Sequence, residues 1–151
     1  MINHAENNLA QTRKFLTTLY SSGHDTVFYE PCRPTERRWF TPFPDCDDFE
    51  EVLQHIKKLN EDGVHAYFGV NCRQDGGTGN ENSTYAVCYY ADFDGTKPED
   101  ALKKIRSVGL PAPSILVSSG GGTHAYWILF EPEHDLAVWS ERQKWIAYAL
   151  G

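Results

Sequence analysis

No apolar run in this chain approaches the roughly 20 residues that cross a bilayer, and the mean hydropathy is −0.52. The N-terminus, MINHAENNLAQ, lacks a charged segment followed by an apolar one, so it does not read as a signal peptide. Without export signals, the expected location is cytoplasmic. Cysteine is sparse: Cys32, Cys46, Cys72 and Cys88 are widely spaced and form no C-x-x-C pair, which argues against a zinc ribbon. They are expected to be reduced thiols, some of them in the core. Positive charge is also short. A net charge of −7 and a pI near 5.3 argue against an architectural duplex-DNA binder. They leave room for an enzyme that meets nucleic acid through a local patch, and there are two basic clusters. One is Arg33, Arg37 and Arg38 beside Trp39; the other is Lys103, Lys104 and Arg106. Neither internal repeats nor low-complexity tracts occur. What is present, 151 residues with 40% apolar and 13% aromatic content, suits one compact domain.

Hydrophobic spacing orders the elements. Residues 5–21 carry Leu9, Leu16, Leu19 and Tyr20 near helical spacing, ending at Gly23. TVFYE at 26–30 reads as a strand, and the proline-rich 31–45 as loop, with a short strand around RRWF. PDCDDFEEVLQHIKKLNEDG is the clearest helix. Asp45 or Asp47 can cap it, acids crowd its first turn, and Phe49, Val52, Leu53, Ile56 and Leu59 form its apolar stripe. VHAYFGVN at 64–71 and TYAVCYYADFD at 84–94 are β-like, separated by the glycine-rich 73–83. A helix then follows, with Thr96 and Glu99 at capping-box spacing and Leu102 and Ile105 facing inward. SILVSS at 114–119 and HAYWILF at 124–130 are strands. The helix at 135–150 spaces Leu136, Trp139, Gln143, Ile146 and Leu150 on one side. This order predicts an α+β fold, with helices covering one face of a mostly antiparallel sheet.

Two motifs carry chemistry. ADFDG places Asp92 and Asp94 two apart at a strand end, so both carboxylates leave the same face, together with Cys88 and Tyr90. Val87, Tyr89, Ala91 and Phe93 then take the other face. Paired carboxylates repel unless a cation sits between them, and Mg2+ or Mn2+ suits all-oxygen ligands. SSGGGTH at 118–124 is neither a Walker A loop, having no lysine after the glycines, nor a nucleophile elbow. Its glycines offer close backbone approach and amides able to line an anion-binding concavity. Ser118 and Ser119 add hydroxyls, and His124 adds a donor. Singly, each motif is ordinary: Asp-Gly ends many strands and glycines close many hairpins. Together they lie on strands separated by one helix, which are neighbours or next neighbours in a small sheet. A metal pair beside a phosphate cradle equips a protein for phosphoryl or nucleotidyl transfer.

With Asp92-Phe93-Asp94 after a hydrophobic strand, and Gly122-Thr123-His124 inside LPAPSILVSSGGGTHAYWIL, the sequence resembles the archaeo-eukaryotic primase (primase-polymerase) superfamily. The likeness is to its phage and plasmid replicative branch, and VHAYFGVNCR at 64–73 is similar to the strand preceding the first motif. The resemblance implies an RNA-recognition-motif-like antiparallel catalytic core at 63–151, packed with an N-terminal α/β part at 1–62, in a single domain spanning 1–151 that stops before its last strands. It implies that Asp92 and Asp94 ligate Mg2+ or Mn2+. Ser118, Ser119, Gly120, Gly121, Gly122, His124 and Arg73 would bind the nucleotide, and Asp92, Asp94 and His124 would be the catalytic set. The implied partners are nucleoside triphosphates, a single-stranded DNA template and a helicase domain or partner, with no membrane.

The family also carries a third acid on a later strand. Glu131, Glu133 and Asp135 come too early for it and flank a helix start, which puts the activity of this 151-residue stretch in question. Two alternatives stay open. One is a nucleotide-binding module without catalysis. The other is a rolling-circle replication endonuclease, for which HAY at 124–126 lacks the second histidine although Tyr148 lies on a predicted helix.

Overall fold

The computed structural model describes residues 4–19, 29–31, 49–62, 66–73 and 83–151. Among these residues four helices and six strands follow one another. They are α1 (His4–Leu19), β1 (Tyr29–Pro31), α2 (Phe49–Glu61), β2 (Ala66–Phe68), β3 (Cys72–Arg73), β4 (Ser83–Asp94), α3 (Pro98–Ser107), β5 (Ile115–Ser118), β6 (Gly122–Glu133) and α4 (Leu136–Leu150). The proline-rich stretch, the strand around RRWF, the caps at Asp45 and Asp47, and the Arg33, Arg37, Arg38 patch lie outside the described residues.

β1 and β2 form a two-stranded antiparallel ribbon, and the main sheet has the order β3-β4-β6-β5. β6 is antiparallel to both of its neighbours. β4 and β5 therefore run parallel with β6 inserted between them, and α3 makes the crossover, as in a split βαβ unit. This is the α+β antiparallel architecture expected. Among the described residues no helix is long and apolar enough to cross a membrane.

The helices cover both faces of the sheet, rather than the single face expected. On one face Leu16 and Leu19 of α1 and Leu53 of α2 pack against Tyr85, Val87, Cys88 and Tyr126. On the other, Ala101 and Ile105 of α3 and Leu150 of α4 pack against Phe93, Ala125 and Trp127. Ala101, at the position before Leu102, is the buried partner of Ile105 on α3, while Leu102 is half-buried. A bulge between Ala86 and Cys88 corrects the expected alternation along β4. One extra residue reverses the faces, so Val87 joins Cys88 on the α1 side, while Tyr89, Ala91 and Phe93 stay opposite.

β3 pairs with only the start of β4, reaching Tyr85. Beyond it α4 takes over the exposed edge. Trp139 Nε1 donates to the Cys88 carbonyl at 2.9 Å. The Gln143 amide stands in for a strand's peptide group: its Oε1 accepts from the Tyr90 amide at 3.1 Å, and its Nε2 donates to the Tyr90 carbonyl at 2.7 Å. This explains a polar residue in the inward-facing row of α4. Asp135 caps the helix by accepting from the amides of Ala137 and Val138 at 3.0 and 3.1 Å. Gln143→Ala is expected to cost about 1–3 kcal/mol, because it leaves two backbone groups of Tyr90 without partners. Urea unfolding measures this, and size-exclusion chromatography detects any edge-to-edge pairing that the bared strand invites.

Candidate nucleotide site

The pairing of β4 with β6 places Asp92 opposite His124 and Asp94 opposite Gly122. The two sequence motifs thus meet side by side at one end of the sheet, on adjacent strands. His124 Nε2 lies 3.3 Å from Asp92 Oδ1, and its Nδ1 lies 3.4 Å from the Tyr126 hydroxyl. Burial, reinforced by Asp92 and other neighbours, pushes the Tyr126 phenol well above its ordinary range, so it stays protonated. The arrangement that keeps a lone pair from facing a carboxylate has Tyr126 donating to Nδ1 and Nε2–H donating to Asp92. His124 is therefore held by a residue that sequence reasoning missed. The only signal was an aromatic two positions on, on the same strand face.

The three glycines divide their labour. Gly120 has φ +83°, where side chains with a Cβ are strained. At Gly122 a Cβ would run into the Phe93 carbonyl oxygen and lie 3.2 Å from Asp94 Cα and from the Gly95 nitrogen. Gly121 has neither constraint. The Ser119 amide is committed to the Gly122 carbonyl at 3.0 Å, closing the hairpin between β5 and β6. The amides of Gly120 and Gly121 make no hydrogen bond among the described residues.

Two bonds lock this hairpin to the turn after Asp94. The Gly95 amide donates to the Gly121 carbonyl at 2.9 Å, and the hydroxyl of fully buried Thr123 donates to the Thr96 carbonyl at 2.7 Å. Thr96 is therefore not a helix cap. Lys97 occupies the N-cap position of α3 without a side-chain bond, and the Thr96 hydroxyl donates to the Asp94 carbonyl at 3.1 Å. The Asp92–Asp94 turn and the glycine hairpin thus form one braced unit.

Other candidates are placed elsewhere. The Arg73 backbone pairs with Ser83, at the opposite end of β4 from Asp92. Nine strand residues at roughly 3.3 Å each put it about 30 Å from the carboxylates. Glu133 pairs opposite Ala86 and is occupied by Arg142 at 3.2 Å and by the Asp135 amide at 3.0 Å. Among the described residues no three His, Cys, Asp or Glu side chains converge as a metal site. Tyr148 is exposed on α4, which packs on the face opposite His124, so the nicking-endonuclease pair does not assemble.

A cleft of about 1010 Å³ opens beside His124, between α1 and β5–β6. Ser118, Ser119, His124 and Tyr126 line its sheet side, and Lys14, Phe15 and Thr18 line its helix side.

The chain is similar in structure to the archaeo-eukaryotic primase domain of the primase-polymerase from cyanophage S-2L, with a TM-score of 0.67 over 91% of this chain and 71% of that one. The two sequences are 21% identical, so the likeness is one of fold. No family model matches the sequence, and no curated protein matches it.

Proposed function

We propose that the chain is a primase-polymerase domain of the archaeo-eukaryotic superfamily, serving phage or plasmid replication. It binds a nucleoside triphosphate with Mg2+ or Mn2+ and joins the nucleotide to a 3′-hydroxyl on a single-stranded DNA template, alongside a helicase domain or partner. The observation that carries this reading is the register that sets Asp92 against His124, 3.3 Å apart, with His124 lining the cleft.

Two neighbouring carboxylates fit a hard divalent cation that completes its coordination with water and substrate phosphate oxygens. They do not form a closed protein cage. Such an ion, when bound, neutralises phosphate charge and makes the attacking hydroxyl easier to deprotonate. Asp92 and Asp94 supply the anionic side of the site. The amides of Gly120 and Gly121, with the hydroxyls of Ser118 and Ser119, bind and orient the phosphates. His124 carries its proton on Nε2 and turns it from Asp92 toward a phosphate oxygen when substrate arrives. In the transfer, the 3′-oxygen forms a bond to the α-phosphorus as the bond to pyrophosphate breaks.

Incorporation of labelled nucleotide into template-bound primers with Mn2+ or Mg2+ tests this. His124→Ala should raise the triphosphate concentration for half-maximal incorporation by about tenfold or more. Incorporation indifferent to His124→Ala would refute the assignment. The lack of a third converging carboxylate among the described residues favours one other reading, a nucleotide-binding module without transfer. Metal-dependent triphosphate binding with no incorporation would establish it.

A further inference from the structure

Resting on the nucleotide reading above, we propose that Lys14 of α1 is a phosphate-binding residue, and that α1 forms the second wall of the triphosphate site. The sheet side of the site has a charge deficit. Asp92 and Asp94 bring two negative charges, the hairpin brings only neutral donors, and His124 is cationic only when protonated. A triphosphate adds further negative charge, so a divalent ion alone leaves the assembly anionic. Among the described residues that line the cleft, Lys14 is the only lysine or arginine.

The helix geometry supports this placement. Gln11, Lys14, Phe15 and Thr18 line the cleft and fall at i, i+3, i+4 and i+7, one face of α1. Thr12 and Leu16 also line the cleft, and the buried Leu16 and Leu19 fix the rotation of the helix. The two consecutive cations of α1 are used differently. Arg13 is ion-paired with Glu50 of α2, tying the helices together, whereas Lys14 has no ion-pair partner among the described residues. Next to Lys14, Phe15 packs edge-on to Tyr126 at 5.3 Å and to Phe68 at 5.2 Å. The cleft thus combines the aromatic rings of Phe15, Phe68 and Tyr126 with the polar groups of Lys14, Ser118, Ser119 and His124, a mixture that suits a nucleoside carrying a phosphate chain.

Calorimetric titration of the full chain with ATP, AMP and adenosine in Mg2+ tests the assignment, with folding of each variant checked by thermal melting. Lys14→Gln should weaken ATP binding by about 10- to 100-fold, the worth of one charge-assisted hydrogen bond. It should leave adenosine binding unchanged, and Lys14→Arg should retain most of the ATP affinity. If Lys14→Gln binds ATP like the unaltered chain while His124→Ala does not, the role of Lys14 is overturned and the nucleotide site stands. If Lys14→Gln loses adenosine as strongly as ATP, Lys14 shapes the cleft rather than binding phosphate, and the proposal also fails. If the unaltered chain binds none of the three, both readings fall.

Discussion

Asp92→Asn and Asp94→Asn are each expected to lower metal-dependent nucleotide incorporation by roughly a thousandfold, while leaving the fold at least as stable as before. The first effect follows from removing an anionic ligand where a cation must hold a polyphosphate, a contribution of several kcal/mol. The second follows from the repulsion between two carboxylates on adjacent same-face positions, which an amide relieves. Neither side chain contributes to the core: Asp92 is 58% exposed and Asp94 is exposed. Asparagine at position 92 keeps an oxygen for His124 Nε2. A residue kept for stability would show the opposite pattern, with activity and melting temperature falling together. Parallel incorporation assays and thermal melts separate the two cases.

Alanine substitutions through the glycine hairpin are expected to rank in one order, with position 122 the most damaging, then 120, then 121. At Gly122 the added carbon meets backbone on β4, which has no rotamer with which to yield. The strands must part where Asp94 faces Gly122, at a cost of about 1–3 kcal/mol or more. The damage falls on the carboxylate pair itself. Gly120→Ala meets no atoms within 4 Å but must hold φ +83°, worth about 1–2 kcal/mol. Gly121→Ala has open space and no positive φ and should stay within about 0.5 kcal/mol. Denaturant unfolding of the three variants measures the order. Equal effects at all three positions would mean that the hairpin is merely flexible.

The sequence made the two motifs and their strands legible because each carried a local signal: alternation and Asp-Gly for β4, glycines and a histidine for the hairpin. Their adjacency was foreseeable from a single intervening helix. The registry of Asp92 with His124 was not, because it depends on pairing across that insertion. The Ala86–Cys88 bulge left no local trace in a uniformly β-like run, so Val87 was assigned to the wrong face. Periodicity correctly put Trp139 and Gln143 in the inward row of α4. Only the exposed edge of β4 explains why one of them is an amide. Lys14 carries no local signal of a role, because the wall of the cleft opposite it is built by β5 and β6, a hundred residues on. Arg73 shows the converse: it is close to the motifs in sequence, yet β4 carries Asp92 away from it.

The central claim is that Asp92 and Asp94 and the hairpin with His124 form one metal–triphosphate site. The most direct measurement is calorimetric titration of a nucleoside triphosphate into the chain with Mn2+ and with a chelator, repeated for the Asp92→Asn/Asp94→Asn double variant. Binding should require the cation in the unaltered chain and lose that requirement, together with most of its affinity, in the double variant. Binding of equal strength with and without the cation, unchanged by the double substitution, would contradict the claim.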